Sequence, residues 1–241
     1  LISIFFGDYV PEVFVGTSGW VYDWNLGGTL DWYAEFSGLN AVELNASFYR
    51  FPYKNQVIGW SRRGSELRWS VKVHKSITHA SKVSERALDT WSRFHELFKP
   101  LEGSIDFFLF QLPPNFSCRN ELLRRIEVFY EKSRLEQRFA VEFRHPSCFT
   151  DEVVKWARDL ELTLVSVDSP IISWIVKSNP NVYLRLHGRE EWYAYEYSGE
   201  ELEELARRVI SLNPGKIYVF FNNNHWMLEN ARIMLNILKS L

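Results

Sequence analysis

The sequence predicts an α/β fold, a (β/α)8 TIM barrel spanning residues 1–241 as a single domain, on three observations. Short apolar segments of strand length alternate with stretches of helical period about eight times, at a spacing of roughly 25–35 residues. Most of the strand-like segments are apolar through their body and polar only at their C-terminal end. The length of 241 residues is close to the ~250 typical of this barrel. An open doubly wound sheet competes, but Gly16 and Gly19 do not complete the G-x-G-x-x-G expected after its first strand.

The first strand is 13–17 (VFVGT), ended by the turn Ser18-Gly19-Trp20. A short helix over 31–37 follows, capped by Thr29 or Asp31. Residues 41–45 form the second strand, with Val42 and Leu44 on one face and Glu43 and Asn45 on the other. Residues 54–63 are helical. The third strand, 69–74 (WSVKVH), opposes Val71 and Val73 to Ser70, Lys72 and His74. Helix 84–98 carries Trp91, Phe94, Leu97 and Phe98 at helical spacing, which reads as shell packing. The fourth strand, 106–111 (DFFLFQ), is stopped by Pro113-Pro114.

Helix 119–132 then presents Leu122, Leu123, Ile126 and Phe129 on one stripe. The fifth strand, 140–145 (AVEFRH), sets Ala140, Glu142 and Arg144 on one parity and Val141 and Phe143 on the other, before Pro146 forbids further pairing. Helix 150–160 is capped by Thr150 or Asp151. Strands six and seven are 163–168 (TLVSVD) and 181–187 (NVYLRLH), with Trp174 in the loop between. Helix 199–212 runs into the turn Asn213-Pro214-Gly215. Strand eight is 216–221, and a last helix, 228–241, is expected to pack beside the first strand and close the ring.

Composition excludes several classes. Apolar residues are 46% and charged residues 24%, an ordinary soluble mix. A net charge of −2 supplies no global field for nucleic acid or an anionic membrane, so anion binding needs a local cluster. No apolar run approaches the ~18 residues of a membrane span. The apolar run 1–6 is too short for a signal-peptide core and lacks a basic flank. Cys118 and Cys148 are too few for a disulfide framework and are expected as reduced thiols in the cytoplasm. Aromatics reach 16%, with 10 Trp, which calls for a filled outer shell or a ligand surface.

In a barrel one face of each strand meets helices, and the other lines the interior and opens at the C-terminal mouth. Strand two ends Glu43-x-Asn45, strand three Lys72-x-His74 and strand four Gln111. Strand five ends Glu142-x-Arg144 followed by His145, strand six Ser166-x-Asp168 and strand seven Arg185-x-His187; strand eight runs into Asn222-Asn223-Asn224. Buried charge costs several kcal/mol unless paired, so these groups are expected to pair around one mouth. Polarity confined to one end favours a functional pocket over an inert salt-bridge plug.

At that mouth Lys72, Arg144 and Arg185, with Arg189, suit phosphate or carboxylate. Glu43, Glu142 and Asp168 are candidate acids or bases, and His74, His145 and His187 candidate proton carriers. His187, Glu142, Asp168 and Glu43 make an acceptable divalent-metal set, but three cations oppose an ion and no H-x-H or H-E-x-x-H spacing is present, so no cofactor is firmly implied. A Schiff base on Lys72 ranks below its use as a phosphate clamp. Cys148, beside Phe149, reads as packing. Trp20, Tyr22, Trp24, Phe48, Tyr49, Trp192, Tyr193, Tyr195 and Tyr197 lie in loops after strands one, two and seven, where they stack on a ligand ring or form a lid. Asn222–Asn224 is a turn whose amides can meet a ligand.

The motifs Gly16-Thr17-Ser18-Gly19-Trp20, Glu43-x-Asn45-x-Ser47-Phe48-Tyr49, Lys72-Val73, Thr78-His79 and Phe110-Gln111-Leu112-Pro113-Pro114 occur in that order. Glu142-Phe143-Arg144-His145, Val167-Asp168, Arg185-Leu186-His187-Gly188 and Phe221-Asn222-Asn223 follow. Together they resemble the YecE-like family, a domain of unknown function, over nearly the whole chain. The resemblance implies a TIM barrel and brings no established reaction. Two departures stand out: Cys148 where an aromatic is expected, and His225-Trp226-Met227-Leu228 where small residues are expected, which reshapes the rim near strand eight.

The expected function is an enzyme, a hydrolase or lyase of phosphodiesterase-like type. Its substrate is a small anionic, phosphate-containing or nucleotide-like molecule. Arg144, Arg185 and Lys72 clamp the anion, flanked by Asn45, Gln111, His145, Tyr49, Trp20, Asn222 and Asn223. Glu142 or Asp168 is the general base and His187 or His74 the proton donor. One alternative is a non-catalytic binding module for single-stranded nucleic acid or a metabolite, the nucleic acid being disfavoured by the net charge. The other is glycoside or sugar chemistry by Glu43 with Glu142.

Overall fold

The computed structural model describes residues 10–241; the apolar run 1–6 lies outside the described residues. Eight strands close into a parallel barrel: β1 (Glu12–Ser18), β2 (Ala41–Leu44), β3 (Arg68–Lys72), β4 (Ile105–Gln111), β5 (Phe139–Glu142), β6 (Thr163–Ser169), β8 (Asn181–Leu186) and β9 (Lys216–Phe221). Each pairs with the next, and β9 pairs with β1 over Glu12↔Lys216 to Thr17↔Phe221. A ninth strand, β7 (Ile172–Trp174), folds back antiparallel on β6. Gly16 allows the β1–β2 approach, since a Cβ there would come 2.2 Å from the Ala41 carbonyl oxygen.

The helices are α1 (Leu30–Phe36), α2 (Ala46–Tyr49), α3 (Lys54–Arg63), α4 (Leu88–Leu97), α5 (Asn120–Ser133), α6 (Asp151–Asp159), α7 (Gly199–Ser211) and α8 (Met227–Ser240). Thr29 caps α1 by accepting from Trp32 N, and Thr150 caps α6 by accepting from Val153 N. Ser198 and Glu201 form a reciprocal capping box on α7. No helix follows β6. The connection 170–180 is shorter than the dozen or so residues that a helical crossover needs, and the chain covers the strand with β7 instead. The last helix packs on β1 and β9, and Arg232 Nε of α8 donates to the Ser37 carbonyl at 2.7 Å.

Two apolar layers follow from the strand pleat. Ala41, Phe107, Leu109, Ala140, Val165, Val167, Tyr183, Tyr218 and Phe220 fill the barrel. Val42, Val71, Phe108, Val141, Leu164, Leu184 and Val219 face the helices. This division corrects one sequence expectation. On β6 it is Val165 and Val167 that point inward, so Ser166 and Asp168 face out. Ser166 Oγ there accepts from Val176 N at 2.9 Å, from the segment standing in place of a helix.

The cysteines are a second correction. Cys118 and Cys148 are joined in a disulfide, with Cα atoms 5.0 Å apart, rather than standing as two thiols. The parallel pairing of β4 with β5 puts their outgoing loops side by side, which brings together two cysteines 30 positions apart. Among the described residues no helix is long and apolar enough to cross a membrane.

Candidate functional site

The C-terminal mouth of the barrel is built in two tiers. Inward parity on β2, β5 and β8 delivers Glu43, Glu142 and Arg185 to one level, all with no solvent exposure. Arg185 divides its guanidinium between the acids: Nη2 donates to Glu43 Oε1 at 2.5 Å and Nη1 to Glu142 Oε2. Glu43 also accepts from Ser18 Oγ at 2.7 Å and Tyr183 OH at 2.6 Å, and Tyr183 OH lies 2.7 Å from Ser70 Oγ. Burial opposes the Arg185 charge, but Glu142 and Glu43 outweigh it and raise its affinity for the proton. Burial likewise opposes the Glu142 carboxylate; Arg144 and Arg185 prevail and hold it well below the usual range. Two carboxylates and two guanidiniums thus balance, as desolvated ions must.

Arg144 forms the second tier. Its Nε lies 2.5 Å from Glu142 Oε1 and its guanidinium sits 4.8 Å over the Trp192 ring. Among the described residues Nη1 has no protein partner. His187 lies beneath, fully buried, and burial followed by the Arg144 cation pushes it down to about 3. It is therefore a neutral imidazole at ordinary pH. Asn222 Nδ2, 3.3 Å from Nδ1, donates there, while Nε2 stands 3.1 Å from the donor Arg144 Nη2 and 3.2 Å from Glu142 Oε1. A cleft lined by Gln111, Pro114, Arg144, Ile171, Trp192 and Tyr193 opens above.

Lys72, at the end of β3, is the remaining charge-bearing group of the mouth. It is 8% exposed, and its Nζ stands 4.4 Å over the Phe48 ring. No carboxylate pairs with it among the described residues. Burial, reinforced by Arg185, lowers it to about 7. His79 lies on the same ring, 4.9 Å between centroids. Burial, then Lys72 and Arg144, lower its basicity too. Phe48 and His79 also wall a groove completed by Tyr49, His74, Lys75 and Ser76.

The structure thus gathers Glu43, Lys72, Glu142, Arg144, Arg185, His187, Gln111 and Asn222 from the predicted set. Asn45 stands beside them, its Nδ2 3.5 Å from the Ser18 carbonyl. Tyr49 is exposed on the rim, its ring edge-on to Phe48. Several predicted residues lie elsewhere. Asp168, facing outward, accepts from Tyr197 OH at 2.9 Å and Arg189 Nε at 3.1 Å. Trp20 packs edge-on against Trp60 and Trp69 in the outer shell. Asn223 holds the Tyr195 carbonyl and Asn230. His145 and His74 each fold back on a serine, Ser147 at 2.9 Å and Ser76 at 2.8 Å, and fix local turns.

The divalent-metal set does not fit. Glu43 and Glu142 are both spent on Arg185, Asp168 is on the other face of β6, and no three metal-ligating side chains converge among the described residues. The sequence reading missed Ser18, Ser70 and Tyr183, which inward parity on β1, β3 and β8 would have found. It named His79 only within the Thr78-His79 motif and gave it no role, since no period marks a residue in the irregular helical turn Ser76–Ala80.

The chain matches the family model described as "Protein of unknown function DUF72" over residues 14–240. No curated protein sequence matches it. Among solved structures it is similar to a DUF72 family protein from Thermotoga maritima MSB8, with TM-score 0.80 and 28% identity over 95% of this chain and 98% of that one. A DUF72 family protein from Enterococcus faecalis V583 gives TM-score 0.81 and 24% identity over 96% and 99%. A xylose isomerase domain containing protein from Salmonella typhimurium LT2 gives 0.53 and 13% over 88% and 90%, a likeness of fold alone.

Proposed function

The chain belongs to the DUF72 family of unknown function, the YecE-like family its motifs resemble, and we propose that it is an enzyme, a hydrolase or lyase whose small anionic, phosphate-bearing substrate binds at the C-terminal mouth. One observation carries this reading. The acids of the mouth are neutralised below the surface by Arg185 and Arg144, while Lys72 and the free Nη1 edge of Arg144 are left without carboxylate partners. An anion entering from the open end meets donors and no opposing charge.

Arg144 is the anchor in this reading, and Glu142 and His187 fix its orientation. Arg185 has no exposed atom and serves the floor, so it does not clamp the substrate directly. Lys72, which burial brings down to about 7, is the group able to gain and lose a proton near neutral pH, with the His79 imidazole against the same Phe48 ring. Glu142, paired and held ionised, is a poor base. The paired-carboxylate sugar chemistry finds no support, since Glu43 and Glu142 share one guanidinium and neither reaches the surface.

The test is turnover of phosphomonoester and phosphodiester panels, with and without divalent cations. The expected result is a substrate for which Arg144→Ala lowers kcat/KM by about a hundredfold, an oriented charged hydrogen bond being worth roughly 2–3 kcal/mol in a desolvated site. Turnover that Arg144→Ala leaves unchanged overturns the assignment.

A further inference from the structure

Lys72 is treated by the fold in a way an anion clamp does not require. A clamp wants its ammonium in solvent or against a carboxylate. Instead Nζ is held over an aromatic face, nine-tenths withdrawn from water, on a rigid strand end; Arg185 and Arg144 act against its charge, Glu142 and Glu43 act for it, and neither acid makes an ion pair with it. Those surroundings suit a free amine, the form that attacks carbonyl carbon. His79, edge-on to the same Phe48 ring and within electrostatic reach of Lys72, supplies a proton acceptor. Arg144 supplies the point that would hold an anionic group of the same molecule.

We infer that Lys72 is the nucleophile of this mouth and forms an imine with a small carbonyl compound whose phosphate or carboxylate is held by Arg144. This rests on the anionic-substrate reading and names its substrate class. The amine lone pair forms the C–N bond while the carbonyl π pair moves to oxygen, which takes up a proton; the nitrogen releases a proton to His79. Loss of the second nitrogen proton and of the hydroxyl as water then gives C=N. The balance is amine plus carbonyl to imine plus water, with no oxidant or cofactor. The protonated imine is the electron sink that a carbon–carbon lyase needs.

The experiment uses the whole protein with dihydroxyacetone phosphate and, separately, pyruvate. Sodium borohydride supplies hydride to trap any imine, and peptide mass mapping locates the adduct. Expected is one adduct per chain on Lys72, formed about a hundredfold faster than on any exposed lysine, because an amine titrating near neutrality is largely free where ordinary lysines are not. Its formation rate should rise with pH through about 7 and level off, instead of climbing toward 10. Dihydroxyacetone, lacking the anion, should react far more slowly. Lys72→Arg should abolish the adduct, and the wild type should bind glycerol 3-phosphate, which has the anion but no carbonyl, without forming one. Adducts spread over exposed lysines, equal rates with dihydroxyacetone, or a wild-type protein that binds glycerol 3-phosphate but traps neither probe would overturn the inference and leave the anion reading standing. Failure of the wild type to bind glycerol 3-phosphate, pyruvate or dihydroxyacetone phosphate overturns both.

Discussion

Lys72 is kept at a cost to the fold, and the cost has a definite pH dependence. Its affinity for a proton falls from the ordinary lysine value to about 7 in the native state. Between those limits the unfolded chain binds more protons than the native one, so stability rises with pH across that window. The penalty is complete below about pH 7 and gone above about 10.5. Lys72→Met keeps the unbranched stem and removes the penalty. It is expected to unfold at higher denaturant concentration than wild type at pH 6, by up to about 5 kcal/mol at ~1.4 kcal/mol per pKa unit. The gap should shrink to under about 1 kcal/mol by pH 10, as urea melts at the two pH values would show. A variant less stable than wild type at pH 6 would mean the amine has found a partner. Sequence parity placed Lys72 at the mouth, but the missing partner was not legible: which acids a guanidinium captures depends on reach across the barrel, and Arg185 spans Glu43 to Glu142.

The strands show why alternation in sequence carries so far and where it stops. On β2, β3, β5 and β8 the inward set was readable because helices cover the other face and demand apolar residues there. On β6 the rule inverts. No helix covers it; segment 172–178 brings backbone carbonyls and amides to its outer face, and Ser166 and Asp168 Oδ2 find their partners outside. The neighbouring loops carry the other feature hidden from sequence, since two cysteines reveal a bond only once β4 and β5 are paired. The Cys118–Cys148 link ties the loop after Gln111 to the loop that follows Arg144. Closing 30 residues restricts the unfolded chain by roughly 3–4 kcal/mol. Cys118→Ala with Cys148→Ala, or wild type under reductant, should therefore unfold several degrees lower than the oxidised protein. Matching midpoints with and without reductant would show that the link does not stabilise the protein.

At the scale of the whole molecule, the barrel was legible because length, strand count and one-ended polarity agree, and each has a separate physical origin. Closure is the feature that makes the mouth possible: Ser18 and Ser70 flank Glu43 on neighbouring strands, but only a closed ring brings Tyr183 from β8 across to that carboxylate and to Ser70. That closure depends on α8. It buries Met227, Leu228, Ala231, Met234, Leu235 and Leu238 beside the β1–β9 seam, and Arg232 binds the end of α1 through the Ser37 and Phe36 carbonyls. At about 1.5–3 kcal/mol for each large apolar side chain, losing the helix removes burial comparable to the whole ~5–15 kcal/mol net stability of a domain. A chain ending at 226 is therefore expected to lose the whole barrel rather than one layer. The near-UV dichroism of its Trp residues should collapse and all slow-exchanging amides should disappear, including those of β4 and β5 on the far side of the ring from the deletion. Retained protection in β3–β5 would instead mean that half the barrel folds by itself, and the Glu43–Arg185–Glu142 bridge, which crosses between halves, would then have to form after the strands rather than with them.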